Sequence, residues 1–104
     1  MLSTLALLAA AAVAPHSISL AWTASADGGT VNVYRASGSC SATFSQLATG
    51  VAAGGPYADS TVTAGQWSYQ VTAVVGGAES APSNCVTLTV LPQSPQALQA
   101  TQTK

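Results

Sequence analysis

Gln66-Trp67-Ser68-Tyr69-Gln70-Val71-Thr72-Ala73-Val74-Val75, followed closely by Glu79-Ser80-Ala81-Pro82-Ser83-Asn84, decides the fold class. Side chains of an extended strand alternate between faces, so Trp67, Tyr69, Val71 and Ala73 share one side and Ser68, Gln70 and Thr72 the other. The pattern predicts one long, half-buried strand with its aromatic side inward.

Shorter strands surround it on both sides. His16 to Thr23 alternates with Ile18, Leu20 and Trp22 in phase, and the turn Ala26-Asp27-Gly28-Gly29 closes it. Thr30 to Ala36 follows with Val31 and Val33 inward, until Ser37-Gly38-Ser39-Cys40-Ser41 breaks the pattern. Phe44 to Ala48 and Tyr57 to Val62 are strands separated by Gly50 and by Gly54-Gly55-Pro56. Gly76-Gly77 then turns the long strand into a last one, Asn84 to Leu91, with Val86, Leu88 and Val90 in phase. No stretch after residue 14 has helical periodicity, and parallel strands would need helical crossovers. The expected class is all-β: an antiparallel, immunoglobulin-like sandwich of six strands, or seven if an N-terminal strand is kept.

The wording Ser17-Ile18-Ser19-Leu20-Ala21-Trp22, Val33-Tyr34-Arg35, Tyr57-Ala58-Asp59, Val71-Thr72-Ala73-Val74 and Glu79-Ser80-Ala81-Pro82-Ser83-Asn84 resembles a fibronectin type III domain of the bacterial or phage type. The resemblance runs from Pro15 to Leu91. It implies Trp22 as the central core residue. It also implies one sheet from the strands near 30–36, 44–48, 66–75 and 84–91, facing a second from those near 16–23 and 57–62 together with the first strand, for which residues 1–14 are the candidate. Trp67 stands where the family usually has its corner tyrosine, and its indole N–H can donate to an upstream carbonyl in that residue's place. The family's Arg-Gly-Asp adhesion tripeptide is missing.

The two ends are set apart from this domain, which spans residues 15–92. Residues 1–14 hold an apolar run, Leu5 to Ala14, of the length of a signal-peptide core but too short to span a bilayer. It reads as an export signal, as the first strand of the sandwich or as an uncleaved anchor. No Lys or Arg precedes it, and Pro15 hinders cleavage after Ala14, which leaves Ala11 or Ala12 as the cleavage site. Residues 93–104, rich in Gln and Pro, read as a disordered tail or linker.

Composition narrows the function. The chain has 104 residues, only 5% of them charged, and a formal net charge of −1. With Arg35 and Lys104 as the only basic residues, counterion release on nucleic acid and attraction to anionic lipid both lack a source. A membrane contact could come only through the N-terminal segment. Cys40 and Cys85 are too few for a zinc site. They read as a disulfide in an oxidising compartment, worth about 4 kcal/mol by chain entropy, or as two free thiols that behave as small apolar groups.

Chemistry has little to start from. His16 is the single histidine, and Asp27, Asp59 and Glu79 are the only carboxylates, well apart in sequence. The pairs Gly28-Gly29, Gly54-Gly55 and Gly76-Gly77 read as turns and not as phosphate loops, because none opens a helix. No catalytic residue, metal or cofactor is expected. Exposed aromatics remain as binding elements: Tyr34, out of phase with Val31 and Val33, is expected on the outer sheet face with Arg35 beside it. These readings together describe a non-enzymatic binding or spacer module of a bacterial secreted or surface protein, facing a protein or a carbohydrate. Two alternatives stay open: a small decoration or tail-associated protein of a phage particle, and an accessory domain of a carbohydrate-active enzyme.

Overall fold

Long alternating runs and glycine turns produce antiparallel strands alone. The structure, a computed structural model, describes residues 16–102. The elements in order are β1 (Ile18–Leu20), β2 (Thr30–Ser37), β3 (Ser45–Ala52), β4 (Tyr57–Asp59), β5 (Gly65–Val75), β6 (Ala78–Glu79) and β7 (Val86–Val90). β1 and β4 make a two-stranded sheet, and β3, β2, β5 and β6 pair in that order in a second sheet, where β7 also pairs with β5. Every pairing is antiparallel. The choice between signal, strand and anchor for residues 1–14 falls outside the described residues. Beyond β7 the described chain forms no further strand or helix, and Leu98 is 91% exposed.

The two sheets share one core. Ile18 of β1, Val31 and Val33 of β2, Val62 of the β4–β5 connection and Tyr69 of β5 are buried, and Leu20, Trp22, Tyr57, Trp67, Val71, Leu88 and Val90 pack around them. Burying an aliphatic side chain of this kind stabilises a fold by about 1.5–3 kcal/mol. The inward phase read from Val31, Val33, Trp67, Tyr69 and Val71 therefore holds.

The outward phase of β5 is different from the expectation of a wet face. Ser68 is 0% exposed and Thr72 6%. Ser68 Oγ donates to Gly38 O at 2.6 Å and lies 2.8 Å from Thr87 Oγ1, while Thr72 Oγ1 donates to Glu79 at 2.6 Å. β5 has β2 on one side and β6 and β7 on the other, so its outward hydroxyls are covered by neighbouring side chains. A short hydroxyl with a partner costs little to bury.

Strand limits also moved. β3 continues through Gly50, which bends at φ 67°, and it shifts register twice against β2. A bulge absorbs the extra residues, so the glycine sits inside the strand instead of ending it. The expected strand from Tyr57 to Val62 pairs only as far as Asp59, where the carboxylate turns the chain by accepting Thr61 N–H at 3.0 Å. The last strand is split, because Pro82 cannot donate to a ladder. Ser80 and Ser83 bridge the gap: their N–H groups donate to Ala73 O and Val71 O, each at 2.8 Å, and their hydroxyls accept from Ala73 N (2.9 Å) and Val71 N (3.0 Å).

Trp22 is half-buried, at the rim of the core and not at its centre. It follows β1, donates from Nε1 to Ala53 O at 2.8 Å and lies flat over Gly55, where a Cβ would come within 2.9 Å of the ring. The corner expected at Trp67 is present, with Nε1 donating to Thr63 O at 2.8 Å.

Candidate binding surface

Neighbouring residues on a strand face opposite ways, and that separates the two residues expected to form one surface. Tyr34 lies on the outer face of the large sheet with Asn32, Gln70 and Thr72. Arg35 turns inward with Val31 and Val33 and reaches the second sheet. The expected Tyr34–Arg35 surface is thus replaced by two distinct polar sites, because β2 holds its alternation without a bulge against β5.

On the outer face, Glu79 is the hub. Its Oε2 accepts from Thr72 Oγ1 at 2.6 Å, from Asn32 Nδ2 at 3.3 Å and from the Tyr34 hydroxyl. Asn32 Oδ1 in turn accepts from Thr49 Oγ1 at 2.7 Å. The bonds from Thr72, Tyr34 and Asn32 hold the Glu79 carboxyl below the usual range, and Glu79 raises the Tyr34 phenol above its own. Four strands, β2, β3, β5 and β6, are stitched together by this cluster. Sequence phasing placed Tyr34 outward, yet nothing in it showed that Glu79 would fold back over β5 to meet it.

On the inner face, Asp59 is the hub and only 1% exposed. It accepts from Arg35 Nη1 (2.9 Å), Tyr69 Oη (2.7 Å), Thr61 Oγ1 (2.7 Å) and Thr61 N (3.0 Å). Burial alone would push its carboxyl up, but these four donors outweigh it and hold the pKa at about 2. Burial and the Asp59 carboxylate together push the Tyr69 phenol well above its usual value. The Arg35 guanidinium also donates from Nη1 to Thr61 Oγ1 at 2.8 Å and lies 4.6 Å from the centre of the Trp67 ring, a cation–π contact. The resemblance singled out Tyr57-Ala58-Asp59 and Val33-Tyr34-Arg35, and the structure joins the last residue of each across the two sheets.

The cysteines meet as well. Cys40 and Cys85 form a disulfide with Cα atoms 6.1 Å apart, tying the loop after β2 to the chain entering β7. Gly38 N donates to Gln66 O at 2.9 Å beside it.

Two concavities open on these faces. A groove of 730 Å³ runs along β1, lined by Leu20, Trp22, Val71 and Leu88 among others; residues 1–15, which lead into β1, lie outside the described residues. A smaller cleft of 410 Å³ lies at the Arg35 end of the inner face, lined by Arg35, Ser37, Thr43, Ser45, Gln46 and Trp67. Among the described residues, His, Cys, Asp and Glu nowhere gather in a group of three that could hold a metal ion, and no helix is long and apolar enough to cross a membrane. No family model matches the chain, and no curated protein or solved structure matches it either.

Proposed function

We propose that this chain is a fibronectin type III-like sandwich that serves as a non-enzymatic binding or spacer module of a bacterial protein secreted or displayed at the cell surface. The Cys40–Cys85 disulfide carries the reading, since such bridges persist in oxidising compartments and are rare in the cytosol. Strand order supports the sandwich part. β3, β2, β5 and the split last strand stand together in one sheet, with β1 and β4 in the other, the grouping that the resemblance implies. The carboxylates support the non-enzymatic part: Asp59 is sequestered beneath Arg35 and Tyr69, and Glu79 is held by three side-chain donors.

Intact mass and non-reducing peptide mapping of the protein from its native source test this. The expected result is a chain that has lost its first residues and carries Cys40 joined to Cys85. A chain that keeps Met1 and has two free thiols would overturn it, in favour of a subunit assembled in the cytoplasm, such as a phage particle protein.

A further inference from the structure

The two polar sites differ in what they have left to offer. On the outer face, Asn32, Tyr34, Thr49, Thr72 and Glu79 bond to one another, with three donors on Glu79 Oε2 and a fourth on Asn32 Oδ1. In the cleft at the end of the inner face, Ser37, Thr43 and Ser45 are exposed, and their hydroxyls have no hydrogen-bond partner among the described residues. Arg35 donates to Asp59 and Thr61 through Nη1 alone, so Nη2 and Nε keep their hydrogens for a ligand.

We propose that this cleft binds a neutral saccharide, an inference that rests on the reading of the chain as a binding module and names its ligand class. The cleft's 410 Å³ falls within the range of about 300–1,000 Å³ typical of small-ligand sites. A guanidinium edge next to several free hydroxyls matches the vicinal hydroxyls of a sugar ring. The Arg35 guanidinium covers one face of half-buried Trp67, and the rest of the ring lines the cleft and supplies apolar surface for the sugar's C–H groups; it cannot swing away because Thr63 O holds its indole N–H.

Charge decides between a neutral ligand and an acidic one. Arg35 is the only Lys or Arg among the described residues, and its charge is countered by Asp59 at 2.9 Å. An anion would therefore find little net attraction, whereas hydrogen bonds to neutral hydroxyls remain available in full. The wall is also held in place before any ligand arrives, since Thr43 lies on the loop that the disulfide ties to β7, and a site ordered in advance loses less entropy on binding.

The test uses the full oxidised chain, labelled with nitrogen-15 and titrated with cellotetraose, maltotetraose and mannotetraose, and with tetragalacturonic acid as the anionic counterpart. The expected result is a saturable shift of the Trp67 indole N–H and of the Thr43 and Ser45 amides with at least one neutral sugar, while the Trp22 indole stays still. Ser45→Leu, an exposed change outside the core, lowers that affinity about tenfold, the loss expected for one hydrogen bond. Its melting curve, unchanged from the parent's, shows that the fold is intact. No saturable shift with any neutral sugar, binding of tetragalacturonic acid alone, or a Ser45→Leu variant that binds as tightly as the parent would each overturn the proposal. If the titration fails while native protein carries the Cys40–Cys85 bridge and has lost its first residues, the saccharide is removed and the module reading stands. Free thiols and a retained Met1 remove the module reading whatever the titration shows.

Discussion

Asp59 shows how much one residue holds together. Its carboxylate joins β4 to β2 and β5 and is buried, so removing it strands Arg35 and Tyr69 without their acceptor. We expect Asp59→Ala to cost about 3 kcal/mol in a denaturant melt, within the range for breaking a buried pair. Because its folded pKa, about 2, lies below the unfolded value, the stability it contributes is fully present above pH ~4 and is lost as pH falls towards 2. The shift corresponds to about 2 kcal/mol, and an acid titration of the melting midpoint in parent and Asp59→Ala should converge at low pH. Tyr34 and Trp22 form the opposite pair. Trp22→Ala removes a ring seated on Gly55 and a bond to Ala53 O, with an expected cost of roughly 3 kcal/mol, whereas Tyr34→Ala, at a partly exposed site, costs about 1 kcal/mol or less. Equal losses in denaturant melts of the two variants would contradict this placement.

Among the elements, the split last strand depends on hydroxyls in a way no β-propensity describes. Ser80 and Ser83 each give a backbone N–H to β5 and take one back through Oγ, so Pro82 interrupts the strand without leaving Val71 and Ala73 unpaired. Ser80→Ala and Ser83→Ala should each cost about 1 kcal/mol, since each variant exposes one β5 amide that had a partner. The sharper readout is hydrogen exchange: the Ala73 amide should lose protection in Ser80→Ala and the Val71 amide in Ser83→Ala, with the rest of β5 unaffected. The β1–β2 turn depends on shape instead. A Cβ at Gly29, which has φ 83°, would fall 2.1 Å from Val74 O, so the turn lies against β5 too closely for any side chain.

The whole molecule rests on a small core, and the disulfide contributes a large share of its stability. Joining residues 45 apart in sequence removes about 4 kcal/mol of unfolded-state entropy, against the 5–15 kcal/mol that is typical of a whole domain. Reduction should therefore lower the denaturant midpoint by a corresponding amount. It should also release the loop around Thr43, which heteronuclear relaxation would register as increased motion at residues 41–43 while the centre of β5 stays rigid. A reduced protein with an unchanged midpoint would show that packing alone holds the two ends of that loop.

Much of this was legible in the residues themselves. Period-2 alternation through Trp67, Tyr69 and Val71, and through Val31 and Val33, determined which sides face the core, because a strand has only two faces and apolar area strongly prefers one. Glycine pairs marked turns, and Trp67 at the corner position announced its bond to Thr63 O. Long-range polar pairing was not legible. Arg35 and Asp59 lie on different sheets, Glu79 reaches Asn32 and Tyr34 only after Gly76-Gly77 reverses the chain, and Ser68 is buried only because Gly38 and Thr87 are folded over it. Such contacts depend on register between strands far apart in the chain, which the packing of both faces sets at once. The sequence by itself determined the strands and their inward sides, and with them the opposite faces of Tyr34 and Arg35; the tertiary structure alone decided that Arg35 meets Asp59 and Tyr34 meets Glu79, and that the free hydrogen-bonding groups gather beside Arg35.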